Sequence, residues 1–202
     1  MTIVIQKLER KNEDALIDIC FITGDKFLKK TFPNPYLFSL FWCLYYVRYE
    51  TNNCFVVFDL KTKKVVGYIL STLNTEIQEE DFKEKMAPII KQKMKELHIR
   101  SLRSRLVALF VMNKPKTKKR KRFLNEYPGH LHIDILPDYQ RQGFGHRLMN
   151  TLESHFKEKC VTGYHLEVSS NNKLGISFYR KYGLELISKN RFSLIFGKKL
   201  TK

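Results

Sequence analysis

Apolar and polar residues alternate through "TIVIQKL" (2–8), which predicts a first strand. The period then changes in "NEDALIDICFI" (12–22). Asn12 can serve as N-cap, acids fill the first turn, and Ala15, Ile19 and Ile22 share one face, so a helix ending near Gly24 is predicted. Residues 36–47 are apolar almost throughout and predict a second, buried helix. "NCFVVFDL" (53–60) and "KVVGYILSTL" (64–73) predict two strands of a hairpin joined by "KTK". Residues 76–97 predict an amphipathic helical stretch interrupted at Pro88. "SRLVALFVM" (104–112) predicts an apolar strand or short buried segment, followed by a basic loop at 114–124. The last third predicts a strand at 130–136, a helix at 143–159, a strand at 164–170, a helix at 172–182 and a closing strand at 191–200. A hairpin in front and strand–helix–strand–helix behind predict a mixed α/β sheet with helices on both faces.

Composition narrows the class. A chain of 202 residues with 43% hydrophobic and 13% aromatic residues predicts one folded domain over 1–202. Cys20, Cys43, Cys54 and Cys160 lack metal or disulfide spacing, so no metal is expected and a reducing, intracellular compartment is. The N-terminus lacks the pattern of a signal peptide. Residues 35–47 are too short an apolar run to span a bilayer, and no membrane partner is expected. The net charge of +17 changes the picture. The stretch "KPKTKKRKR" (114–122) carries seven Lys/Arg and no acid, which fits a solvated loop, a nuclear-import signal or a dock for an acidic partner. Against nucleic-acid binding, no stacking surface of interleaved aromatic and basic residues and no helix-turn-helix pattern accompanies it.

The chemistry concentrates at "DYQRQGFGHRLM" (138–149). Gly143 and Gly145 follow a strand and open a helix. Glycines let backbone approach a ligand, and free amides at a helix N-terminus attract an anion such as a pyrophosphate. A tight turn with a glycine kept for packing fits the same residues.

Three stretches together resemble the GNAT superfamily of N-acetyltransferases. "ILPDYQRQGFG" is similar to that family's strand and pyrophosphate loop, "LEVSS" leads to Asn172, and "NKLGISFYRKYGLEL" is similar to its N-x-x-A-x-x-φ-Y-x-K-x-G-F stretch (φ apolar). Gly175 replaces the alanine and Leu184 the phenylalanine. "YPGHLHIDILPDYQRQGFG", "ICFITGD" and "KVVGYILSTLNT" resemble, more closely, bacterial acetyltransferases related to the acetyltransferase-like domain of O-GlcNAc hydrolases.

The resemblance implies a GNAT fold: a mostly antiparallel mixed sheet of about seven strands, splayed where acetyl-CoA lies. It implies acetyl transfer to a primary amine of a small molecule, a protein lysine or an N-terminus, by direct attack on the thioester. Ile133, Ile135 and Leu136 would supply backbone to the pantetheine arm. Gln140, Arg141, Gln142, Gly143, Phe144, Gly145, His146 and Arg147 would surround the pyrophosphate. Tyr179 would donate to the departing thiolate, in preference to serving as a packed aromatic, and Asn172 would contact the coenzyme, a role compatible with capping the helix that begins there. For the base, His130, His132 and Asp134 alternate on one face of their strand, with Glu167 a further carboxylate on the next. Similar histidine pairs occur in arylalkylamine-acetylating members, but one residue out of step with these. A structural His–Asp pair fits them as well. A catalytically idle GNAT fold that binds acyl-CoA or a protein partner is the alternative function. The loops that build acceptor pockets, here 23–50 and 74–100, carry no motif.

Overall fold

The computed structural model describes residues 3–113 and 117–200. In chain order, β1 (Ile3–Lys7) is followed by α1 (Glu13–Thr23), α2 (Lys26–Thr31), α3 (Pro35–Trp42) and α4 (Leu44–Tyr49). Then come β2 (Phe55–Asp59), β3 (Lys64–Thr72), α5 (Thr75–Asp81), α6 (Ala87–Glu96), α7 (Leu102–Met112) and α8 (Lys118–Glu126). The chain closes with β4 (Gly129–Ile135), α9 (Phe144–Glu158), β5 (Gly163–Ser169), α10 (Lys173–Tyr182), β6 (Glu185–Lys189) and β7 (Ser193–Lys199).

Among the described residues, seven strands form one sheet in the order β1-β2-β3-β4-β5-β7-β6. Only β4 and β5 are parallel, and they pair at just two places, Gly129 with Tyr164 and His130 with His165. Beyond those pairs the sheet forks. β4 continues along β3 as far as Ile135, while β5 continues along β7 as far as Ser169. Helices cover both faces. Leu16, Leu40, Tyr68 and Leu70 belong to the core beneath the early helices, and Leu148, Phe156, Leu166 and Phe196 to the core beneath α9 and α10. No helix among the described residues is long and apolar enough to cross a membrane.

Several elements depart from the pattern-based expectation. Helix α1 buries Leu16, Ile19 and Cys20, and leaves Ile22 51% exposed. Asn12 does not cap it; the Asn12 side chain accepts from the Glu9 amide at 3.0 Å and closes the preceding 3-10 turn. The apolar stretch at 36–47 is two helices broken at Cys43, because residues apolar on all sides leave no period to mark a break. Helical backbone runs on from α5 into α6, and Pro88 follows directly on a π turn at Phe82–Met86, which accommodates its missing N–H.

Residues 104–112 lie in helix α7, not a strand. Ser101 caps it by accepting from the Ser104 amide, and Ser104, Ala108 and Met112, four residues apart, are its buried positions. The basic stretch is not a loop where it is described: α8 begins at Lys118, with Thr117 accepting from the Arg120 amide at 3.1 Å. Residues 114–116 of that stretch lie outside the described residues. The edge strand β6 was carried by no sequence pattern; four of its five residues are exposed or charged, and it is bulged at Leu186/Ser188.

Candidate active site

The fork creates unpaired backbone. The Leu136 amide donates to the Val66 carbonyl at 2.9 Å, so Leu136 and, at the two-residue period, Asp134 and His132 turn their backbone groups toward β3. Ile133 and Ile135 therefore turn theirs into the fork. The Ile135 carbonyl accepts there from Gln140 Nε2 at 2.8 Å, which ties the following loop to the strand. The expectation that Leu136 would lend backbone to a ligand does not fit this register. Its carbonyl is also spent, accepting from the Tyr139 amide at 2.9 Å.

At the end of β4 the chain makes an open-ended turn. Arg141 has φ 58° and Gly143 φ 85°, both left-handed. Such a conformation is free for glycine and strained by about 1 kcal/mol for arginine. Gly143 is the N-cap of α9 and provides no side-chain cap. The first helical bond runs from the Arg147 amide to the Gly143 carbonyl at 3.1 Å, so the amides of Phe144, Gly145 and His146 point out unmatched within the helix. A Cβ on Gly143 would meet nothing within 4 Å, so the space beside it is open.

The two glycines have different jobs. A Cβ on Gly145 would lie 3.1 Å from the Phe178 ring, so this glycine seats α9 against α10. His146 also turns to that side, its ring 5.3 Å from those of Phe178 and Tyr182. Arg141 and Gln142 are exposed, and Gln142 Nε2 donates to the Asp138 carbonyl at 2.7 Å. Phe144 is buried in the core below. Arg147 does not join the turn: its Nη2 donates to the Ile3 carbonyl on β1 at 3.3 Å. Asn172 caps α10, accepting from the Gly175 amide at 2.8 Å. A Cβ at position 175 would lie 2.9 Å from Asn172 Nδ2, so glycine in place of the family's alanine gives the cap its room.

Tyr179, on α10, is buried between Phe178 and Phe196, ring centroids 5.4 and 5.9 Å away. Its hydroxyl has no hydrogen bond to any described residue. Burial raises its pKa, and the negative charge of Asp134 raises it further, so the phenol holds its proton at neutral pH.

His130, His132 and Asp134 share the face of β4 toward the early helices. His132 Nε2 lies 3.0 Å from Asp134 Oδ2, and Tyr68 Oη donates to the same oxygen at 2.8 Å. Burial would lower the His132 pKa, but the Asp134 charge and hydrogen bond prevail and hold it at about 9. This is a protonated pair, which argues against His132 as a base near pH 7. His132 Nδ1 is buried beside the Trp42 backbone, which favours the proton there although the contact falls short of full hydrogen-bond geometry. His130 Nδ1 lies 2.9 Å from Tyr46 Oη, and its ring is 5.1 Å from that of His165. His165 is buried and held down to about 4 by burial; its Nδ1 is 3.0 Å from the Tyr127 carbonyl, which fixes the proton on that nitrogen. Glu167 is exposed and accepts from Ser193 Oγ across to β7. Tyr46, Tyr68 and His165 carry no motif. Only the strand register brings them here, and pairing Tyr68 with Asp134 spans 66 residues of sequence.

A seven-stranded sheet forked between two parallel strands, with helices on both faces and an uncapped helix at the fork, is the GNAT fold. The model of the acetyltransferase (GNAT) family matches residues 23–184, and the chain belongs to that family. It superposes on the crystal structure of SsHAT with a TM-score of 0.84 at 26% identity, covering 100% of both chains. The PaiA N-acetyltransferase of Thermoplasma acidophilum, crystallised with coenzyme A, aligns with a TM-score of 0.58 at 15% identity, over 99% of this chain and 100% of that one. Naa20 of Chaetomium thermophilum, in complex with a bisubstrate analogue, aligns at 0.54 and 14% identity, over 98% and 86%. The last two likenesses are of fold.

Proposed function

We propose that this protein transfers the acetyl group of acetyl-CoA to a primary amine by direct attack on the thioester. One observation carries the reading: the unpaired backbone of Ile133 and Ile135 leads along β4 to the unmatched amides of Phe144, Gly145 and His146. The first suits the amides of a pantetheine arm, the second a pyrophosphate. Arg141 and the surplus positive charge of the chain favour the same anion. The motifs shared with bacterial acetyltransferases related to the O-GlcNAc-hydrolase-associated domain support placing the chain near that group.

In the proposed reaction a neutral amine attacks the thioester carbon, the C–N bond forms, and the C–S bond breaks as the tetrahedral intermediate collapses. Tyr179 gives its proton to the departing sulfur. His130, held through Nδ1 by Tyr46, receives the proton leaving the amine nitrogen. The His132–Asp134 pair acts as a fixed, charge-balanced element that aligns β4. The acceptor enters from the His130 face, beneath α3, α4 and α5.

Calorimetric titration with acetyl-CoA, followed by thiol release with a panel of amines and peptides, tests this. Saturable binding and amine-dependent release are expected. Absence of binding overturns the reading. Binding without release for any amine favours the idle acyl-CoA-binding module.

A further inference from the structure

Helix α7 is apolar on two opposite sides. Ser104, Ala108 and Met112 face the core. On the other side Leu102, Leu106, Leu109 and Phe110 are 71%, 56%, 53% and 73% exposed. A helix apolar all round is ordinarily covered all round. The exposed row is flanked by Arg103 and Arg105, also exposed. Arg103 lies over the ring of Phe27 at 4.0 Å, and Phe27, itself 53% exposed, extends the apolar surface onto α2.

The surroundings are mainly cationic, and Glu96 on the neighbouring cleft is paired with Lys93. At the start of α7 a cleft of about 450 Å³ is lined by Lys30, His98, Arg100 and Arg103 and by no acid. Between Glu96 and Asn113 the sequence holds Arg100, Arg103 and Arg105 and no Asp or Glu. Among the described residues, Lys30, Arg100, Arg103 and Arg105 have no ion pair.

We propose that this face docks on an anionic lipid bilayer. The row from Leu102 to Phe110 enters the boundary between headgroups and acyl chains, and the flanking cations meet headgroup phosphates. Charge complementarity selects this occupant. A second copy of the chain would bring like-charged arginines together without an acid to pair them, and four side chains fall short of the roughly 800 Å² per partner of a stable dimer. Nucleic acid would satisfy the cations but offers no apolar phase for Leu106, Leu109 and Phe110. The expectation of no membrane partner considered spanning; an interfacial helix needs no span.

Co-sedimentation of the full chain with phosphatidylcholine vesicles, with and without phosphatidylglycerol, tests the proposal. Binding to the anionic vesicles should be at least about tenfold stronger and should weaken with salt. Leu106→Gln/Phe110→Gln alters only exposed positions. It should keep the melting temperature and lose about tenfold in vesicle affinity. A Phe110→Trp reporter, read as the difference from wild type, should shift to the blue and be quenched by brominated acyl chains. No binding by wild type, equal binding by the double variant, or an unquenched reporter overturns the proposal. So does a dimer in sedimentation velocity that the double variant dissolves, or salt-steep binding to duplex DNA with none to vesicles.

Discussion

His132 Nε2 and Asp134 Oδ2 stand 3.0 Å apart on alternate positions of β4, and the pair holds a proton that an isolated histidine would lose near neutrality. The fold holds the histidine at about 9 against its ordinary 6.5, so its contribution to stability is complete below 6.5 and is lost as the pH rises through 9. His165 acts in the opposite sense. Held down to about 4, it stabilises the fold above 6.5 and withdraws that support as the pH falls toward 4. Melting temperature should therefore decline on both flanks. Asp134→Asn should flatten the alkaline decline selectively; an unchanged alkaline slope would assign it to other groups.

Under the proposed reaction, Tyr179 donates only as charge develops on sulfur, a contact of the transition state. Tyr179→Phe keeps the ring between Phe178 and Phe196. It should reduce turnover by about 10²-fold and leave acetyl-CoA affinity within about twofold. Equal losses in both, measured by steady-state kinetics and calorimetry, would make Tyr179 a packing residue.

Gly143 is left-handed and has open space at its Cβ position. Gly143→Ala should lower stability by about 1 kcal/mol through backbone strain alone. Gly143→Val should in addition fill the space where a pyrophosphate would approach, and weaken acetyl-CoA binding more than about tenfold. Wild-type affinity in the valine variant would move the coenzyme site elsewhere.

Helix α8 is not an inert tether. Arg120 pairs with Glu79 on α5, both side chains largely covered, and Leu124 is buried. Arg120→Ser should lower stability by about 1 kcal/mol, while Lys121→Ser, at an exposed position, should change it by less than about 0.5 kcal/mol. Thermal unfolding of the two variants separates them; equal effects would mean that the Glu79 pair contributes nothing.

The back half of the chain was legible because its signals are local. The strand ending at Ile135, the turn at Gly143 and the helix carrying Tyr179 each lie within one short stretch. The period-two alternation put His130, His132 and Asp134 on one face, where they stand. What was not legible depends on partners distant in sequence. The register of β3 against β4 decides that Leu136 is spent, and Tyr68 reaches Asp134 only through it. Residues 36–47 and 104–112 are apolar on all sides, so periodicity could neither locate the break at Cys43 nor distinguish helix α7 from a strand. The basic stretch read as a loop by charge alone. Its helix is anchored by Thr117, Arg120 and Leu124, of which only Thr117 acts locally.

The bare backbone at Gly145 has a mechanical consequence. The Phe178 ring occupies the space that a methyl at position 145 would need, 3.1 Å from it, so the start of α9 sits closer to α10 than a residue with a side chain would allow. The end that would grip a diphosphate is thereby seated against the residue next to Tyr179. Across the fork stands β4 with its partner β3, joined to β5 at the strand pairs of Gly129 and His130. Under the proposed reaction, a side chain at position 145 that pushed α9 off Phe178 would lengthen the span from the anchored end of the coenzyme to the tyrosine.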